Sequence, residues 1–204
     1  MEASTIETHP FVPFLPGNAR LLMLGTFPPA PKRWSMVWYY PNFTNDMWRI
    51  FGLIFFGDKQ HFVCQEEKTY RLDALKAFLT QRGVALFDTC LRIRRLGKMH
   101  PRAVAAQFQN TLVQFTPRAL PCCRAVVTAG QLATQIFTRH YGIDTKGMKM
   151  GDYREFCFEG RTIRLYRMPS SSRAYPMRTE AKAAYYERML IDLGIKTSNE
   201  QSNL

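Results

Sequence analysis

The sequence predicts an α/β fold: a three-layer sandwich in which a central, mostly parallel four-stranded sheet carries helices on both faces. Two observations predict it. Short apolar runs that stop at Gly, Asp or Pro alternate with longer stretches of helical periodicity, and such alternation closes as a parallel sheet covered by helices. The 204 residues, 46% hydrophobic and 22% charged, also have the size and composition of one packed domain, not of a disordered chain. That domain is expected over residues 1–195, with 196–204 as a polar tail.

Each element has a local reason. Leu21–Leu24 follows a Pro/Gly-rich lead-in and stops at Gly25, while Val84–Phe87 lies between Gly83 and Asp88. Ala125–Thr128 ends just before Gly130, and Thr162–Tyr166 ends before Pro169. These runs are too short for buried helices and read as buried strands. The helical stretches are Asp46–Phe56, Tyr70–Arg82, Arg102–Phe115, Gln131–His140 and Arg178–Leu193. The last places Ala181, Ala184, Tyr185, Met189 and Ile191 on its expected apolar face. Ligands of such sheets bind outside the carboxyl ends of the strands. That rule singles out four loops, Gly25–Asp46, Asp88–His100, Ala129–Gln131 and Met168–Met177.

Charge narrows the partners. Twenty-eight Lys plus Arg against sixteen Asp plus Glu leave a net +12, which favours a polyanion because each neutralised phosphate releases condensed counterions. A solvated basic surface is the plainer alternative. Five Cys, an odd number with no C-x-x-C pair, fit buried thiols in a reducing cytoplasm. They lack the spacing of a zinc or iron–sulfur site, so neither metal nor cofactor is expected. The densest apolar stretch, Ile50–Phe56, is far too short to span a membrane. The acidic N-terminus has no apolar signal-peptide core, so a cytoplasmic protein is expected. No long apolar stripe is left over, so a monomer is expected as well.

Two loops carry the chemistry. In the first, Pro28, Pro29 and Pro31 hold the backbone extended, and Trp34, Trp38, Tyr39, Tyr40 and Phe43 crowd beside Lys32, Arg33 and Asn42. Aromatic rings beside basic groups suit a flat heterocycle next to a phosphate; the same rings also suit a cap on the core. In the fourth loop, Ser170, Ser171 and Ser172 with Arg173 and a following helix N-terminus suit a phosphate seat. They also fit a serine-rich turn with Thr179 as helix cap. A serine nucleophile fits poorly, because no G-x-S-x-G elbow exists and only His100 and His140 stand near strand-end loops.

Together these loops resemble the uracil-DNA glycosylase superfamily, from His9 to Leu193. Met168-Pro-Ser-Ser-Ser172, followed by a helix carrying Tyr185-Tyr186, is similar to the second signature motif of the mismatch-specific thymine/uracil-DNA glycosylases. Gly25-Thr-Phe-Pro-Pro29 occupies the place of their first motif, and Tyr39-Tyr40-Pro-Asn-Phe-Thr-Asn45-Asp-Met-Trp48 resembles the segment after it, most closely in the hypoxanthine-DNA glycosylase branch. The chain departs from the pattern at Phe27, where the uracil and mismatch enzymes hold a water-positioning Asn or Asp, and at Ala129, where a base-reading Asn often stands.

The resemblance implies a DNA glycosylase acting on double-stranded and potentially single-stranded DNA. It assigns water positioning to Asn45, with Asp88 a second catalytic candidate. Gly25, Thr26, Phe27 and Tyr40 are expected to bind the base, and Pro169, Ser170, Ser171, Ser172 and Arg173 the DNA backbone. Arg173 or Tyr175 would fill the vacated stack. Asn45 equally fits an N-cap of the helix starting at Asp46, and Asp88 a turn cap. Two competing readings remain. One is a DNA-binding protein of the same fold without catalysis, which Phe27 favours. The other is an enzyme on a small phosphorylated ligand, which the charge disfavours.

Overall fold

The computed structural model describes residues 6–95, 104–105 and 119–197. In chain order the strands are β1 (Ile6–Thr8), β2 (Leu21–Gly25), β3 (Val63–Cys64), β4 (Thr69–Tyr70), β5 (Val84–Asp88), β6 (Arg92–Arg95), β7 (Val104–Ala105), β8 (Ala125–Ala129), β9 (Tyr153–Phe158) and β10 (Arg161–Met168). The helices are α1 (Met47–Phe56), α2 (Leu72–Arg82), α3 (Gln131–Tyr141) and α4 (Thr179–Asp192).

The four expected strands form one parallel set, and a fifth extends it. The sheet order is β5-β2-β8-β10-β9, with β9 antiparallel to β10. β2 and β5 are buried along their whole length, as their unbroken apolar runs require. The outer edge of β5 does not face water, because Phe14 exchanges two backbone hydrogen bonds with Leu86, at 3.1 and 2.9 Å. β9 alternates exposed and half-buried residues, the signature of an edge strand. The sheet is therefore mixed and five-stranded, one antiparallel strand more than the sequence predicts.

α1 and α2 lie between β2 and β5 in the chain and pack on each other through Phe51, Phe55 and Phe78, while α3 follows β8 and packs on β8 and β10. α4 returns to pack against α1 and β10. α1 buries Met47, Trp48, Ile50, Phe51, Ile54 and Phe55, so it is enclosed on nearly every side. Trp38 stacks on Trp48, with ring centroids 5.6 Å apart.

Three expectations are corrected. The buried face of α4 is Lys182, Ala183, Tyr186, Met189 and Leu190, while Ala181, Ala184 and Ile191 face outward and Tyr185 is half-buried. Thr179 is the first residue of α4 and makes no side-chain cap. The stretch Arg102–Phe115 lies outside the described residues except for β7, which pairs with β6 and is strand, not helix. Lys196, the first residue of the expected tail, is buried, with its Nζ 2.6 Å from Glu187 Oε1. Residues 198–204 lie outside the described set. Among the described residues no helix is long and apolar enough to cross a membrane.

Core ionisable groups fix an alkaline limit to stability. Burial pushes the Cys90 thiol up to about 11, with Thr89 opposing, and the Tyr70 phenol up to about 12, with Arg49 opposing. Both folded-state values lie above the ordinary ones, so the unfolded chain loses these protons first and stability falls as pH rises. The Cys90 thiol lowers stability by up to about 1.4 kcal/mol per pH unit between pH 9 and 11, and the Tyr70 phenol does so between pH 10 and 12. Urea unfolding at pH 9, 10 and 11 checks this. A midpoint that stays level across that window contradicts it.

Candidate functional site

β2 and β5 end side by side, with Gly25 in register with Asp88. The Asp88 carboxylate is buried, and its Oδ2 accepts a hydrogen bond from His9 Nε2 at 2.9 Å. Its Oδ1 lies directly over Gly25. A Cβ at position 25 would stand 2.3 Å from Oδ1 and 3.7 Å from the Tyr40 hydroxyl. Glycine at this strand end is thus a requirement of close approach. The Gly25 and Thr26 carbonyls accept from the Thr89 and Cys90 amides, at 2.9 and 3.1 Å, so the two strand ends stay laced together past Asp88.

Tyr40 reaches the same spot from a left-handed backbone, φ +50°, a conformation that costs a non-glycine residue on the order of 1 kcal/mol or more. Its hydroxyl is buried and has no hydrogen-bond partner among the described residues. Burial, then the nearby Tyr186, Asp88 and Tyr39, hold its ionisation well above the ordinary phenol range, so it remains a neutral hydroxyl. Phe27 is half-buried; it packs on Cys90, Ile93 and Ile136 and meets the His9 ring edge-on at 5.3 Å.

The second half of the site is the start of α1 with the serine loop seated on it. Asn45 Oδ1 accepts the Met47 amide at 2.9 Å, so the side-chain carbonyl caps α1 as the sequence allowed. The next residue, Asp46, is buried and binds three residues, two in the serine loop and one in α4. Its amide donates to Ser171 O at 2.9 Å, its Oδ2 meets Lys182 Nζ at 2.8 Å, and its Oδ1 meets Arg173 Nη1 at 3.3 Å. Lys182 Nζ also donates to Ser172 O at 2.8 Å. Tyr186 donates its hydroxyl to Pro169 O at 2.9 Å. The loop is therefore moored to α1 and α4 through its backbone carbonyls.

That mooring sorts the loop residues. Pro169 and Ser171 face inward, whereas Ser170 is half-buried and Ser172 and Arg173 are exposed. Ser170 Oγ accepts the Ser172 amide at 3.2 Å and Ser172 Oγ the Ala174 amide at 3.3 Å, which leaves each hydroxyl its own proton to donate. Ser170 also packs on Gly130, where an added Cβ would stand 3.2 Å from Ser170 Cβ. The third strand-end loop and the serine loop therefore touch.

The aromatic-rich loop does not form an open slot. Trp38 and Tyr39 belong to the core, at 7% and 2% exposure. Trp34 is half-buried and donates its indole N–H to Pro29 O at 2.7 Å, and Phe43 lies under the Arg49 guanidinium. Their role is to wall the site and present Tyr40. Asn45, Asp88 and the serine loop were singled out from the sequence, whereas His9, Asp46 and Lys182, which bind them here, were not. A lysine three and four residues from buried helix positions was the available sign for Lys182. His9 carried no local sign. His100 lies outside the described residues. Among the described residues, no three His, Cys, Asp or Glu side chains are grouped to hold a metal ion.

No family model matches this chain, and no curated protein matches it. Solved structures do. The solution NMR structure of a candidate uracil DNA glycosylase from Methanosarcina acetivorans matches with a TM-score of 0.60 at 19% identity, covering 93% of this chain and 99% of that one. The fold described above is thus similar to the α/β sandwich of that structure.

Proposed function

We propose that this protein is a monofunctional DNA N-glycosylase that extrudes a damaged or deaminated base (uracil, hypoxanthine or mismatched thymine) and hydrolyses its N-glycosidic bond. One observation carries the reading: the serine loop and the Asn45 end of α1 are tied together through Asp46, and Tyr40 joins them to the strand ends, its ring edge-on to Trp48 of α1 and its hydroxyl over Gly25, in register with Asp88. A backbone grip and a polar chemical centre in one rigid frame are what an enzyme acting on an extruded nucleotide needs.

In this reading Ser170, Ser172 and Arg173 hold phosphates, and Arg173 or Tyr175 fills the vacated stack. Phe27 stacks on the base, whose edge meets the Gly25–Phe27 backbone and Tyr40. Asn45 orients the water below C1′ with its amide; an amide is too weak a base to deprotonate that water in advance. Asp88 stabilises the oxocarbenium-like sugar and accepts the water's proton as C1′–O forms. The C1′–N electron pair leaves with the base. The lysine of the site, Lys182, is committed to Asp46 and to the Ser172 carbonyl, so a Schiff-base step is not part of this reading. The basic surface supplies the non-specific grip, with Arg92 and Arg94 exposed on β6 just beyond Asp88. The five free cysteines support action in the reducing cytoplasm, and the protein works as a monomer on duplex and, by the same contacts, single-stranded DNA.

A second reading is a DNA-binding protein of the same fold without catalysis. Phe27 favours it, because an apolar ring packed on Cys90 and Ile136 stands where a water-holding residue would be.

Single-turnover cleavage distinguishes them. Duplexes carrying one uracil, hypoxanthine, mismatched thymine or alkylated base are incubated with excess protein, then treated with alkali. Cleavage is expected at a deaminated base. Asn45→Ala is expected to lower the rate roughly 100- to 1,000-fold while costing stability only about 1 kcal/mol for the lost cap. Equal rates in Asn45→Ala and wild type would leave Asn45 as a cap and nothing more.

A further inference from the structure

His9 stands 79 residues from Asp88 in the chain and is joined to it by a single buried hydrogen bond. Its side chain is fully buried and that of Asp88 is 9% exposed. The other ring nitrogen, Nδ1, is set between two groups of one residue: the Phe11 amide at 3.2 Å and the Phe11 carbonyl at 3.0 Å. With Nε2–H given to the carboxylate, the neutral ring accepts from the Phe11 amide at Nδ1; a doubly protonated ring donates to the Phe11 carbonyl. The imidazole has a partner at both nitrogens in either protonation state. Four rings fix its plane as well: Phe11, Phe27, Tyr39 and Phe87 lie 4.7–6.1 Å from it. The His9 amide is anchored on Leu91 O at 2.8 Å, so the segment after β1 is tied to the chain just beyond Asp88.

This is more support than a packing histidine needs, and it acts on one oxygen only. With Oδ2 held, Oδ1 is turned to Gly25, where the Tyr40 hydroxyl also points without a partner. An acceptor and a donor thereby open on one spot, kept free of any Cβ.

We propose that His9 is a positioning residue for Asp88: it holds Oδ2 through Nε2–H and so directs Oδ1 to the Gly25–Tyr40 side of the site, where the sugar of an extruded nucleotide is engaged. The assignment rests on the glycosylase reading, in which Asp88 acts at C1′. His9 touches neither sugar nor base; it works through the carboxylate. Losing the bond frees Asp88 to rotate and leaves a buried carboxylate short of a donor.

The test uses His9→Gln, which keeps an N–H donor, His9→Leu, which does not, Asp88→Asn, and the double variants of Asp88→Asn with each. Rates are measured in single turnover on duplexes holding one uracil or one hypoxanthine, with melting temperature and salt-dependent duplex binding followed in parallel. His9→Leu is expected to lower the rate about 10- to 100-fold, and His9→Gln to recover it to within about fivefold of wild type. In the Asp88→Asn background either His9 change is expected to cost less than about twofold, because the residue it acts through is gone. Should His9→Leu fail to fold, the cycle of His9→Gln with Asp88→Asn supplies the same coupling.

Three results overturn the proposal. Wild-type cleavage that is lost in Asp88→Asn but unchanged in the His9 variants removes His9 alone. Full multiplicative losses in the double variants, tracking melting temperature, make His9 a packing residue. No cleavage by the wild type at either lesion, with duplex binding intact, removes the glycosylase reading and this proposal with it.

Discussion

Replacing Lys182 with Met is expected to destabilise the protein by about 3–5 kcal/mol, the usual consequence of stranding one charge of a buried pair. Lys182 is fully buried and Asp46 2% exposed, and their 2.8 Å contact is backed by the Ser172 carbonyl. Methionine fills the volume but leaves Asp46 facing only Arg173, whose side chain is 69% exposed. For a chain of this size each kcal/mol is worth about 2–4 °C, so the melting temperature falls by roughly 6–20 °C. Adding Asp46→Asn to Lys182→Met removes the stranded charge and is expected to restore about 1–2 kcal/mol. Thermal and urea unfolding of the two variants measure both quantities. A loss below about 1 kcal/mol in the single variant would mean the α1–α4 junction stands on its apolar contacts. The same variant loosens the serine loop, so weaker duplex binding at moderate salt accompanies the lower stability.

Gly25→Ala is expected to abolish cleavage while leaving duplex binding within about threefold, a split between chemistry and grip. The new Cβ would meet Asp88 Oδ1 at 2.3 Å, a distance that real Cβ contacts essentially never show. The carboxylate is the far end of a side chain and can yield, but only by turning away from the position that His9 gives it. The expected loss is roughly 100- to 1,000-fold in single-turnover rate, the scale of removing one preorganised electrostatic group. Gly17→Ala is the control, since nothing lies within 4 Å of its added Cβ. Cleavage by Gly25→Ala within tenfold of wild type would place the chemistry away from Asp88.

Both predictions depend on residues that the sequence shows unequally. The four parallel strands were legible because each is an apolar run closed by Gly, Asp or Pro, and burial on both faces leaves little room for polar residues. β9 was not legible: as an antiparallel edge it mixes Arg154 and Glu155 with Phe156 and Phe158, so no apolar run marks it. On α4 the periodicity pointed to Ala181, Ala184 and Ile191, because a hydrophobic reading rejects any face that contains Lys182. That face is the buried one, since Asp46 supplies the counter-charge from another helix. Asn45, Asp88, Gly25 and the serine loop were singled out because ligands of parallel sheets gather at the carboxyl strand ends. His9 is defined only by a partner far along the chain, and the orphaned Tyr40 hydroxyl only by its burial. No local pattern encodes either.

Release of a free base is the most direct sign of the proposed activity. Excess protein is mixed with a duplex holding one uracil or one hypoxanthine, and the reaction is sampled for the released base by mass spectrometry and for strand breaks before and after alkali. One free base per abasic site is expected, with the strand intact until alkali is added. Salt-sensitive binding to those duplexes with no base released from either would contradict the glycosylase activity and leave a DNA-binding protein in its place.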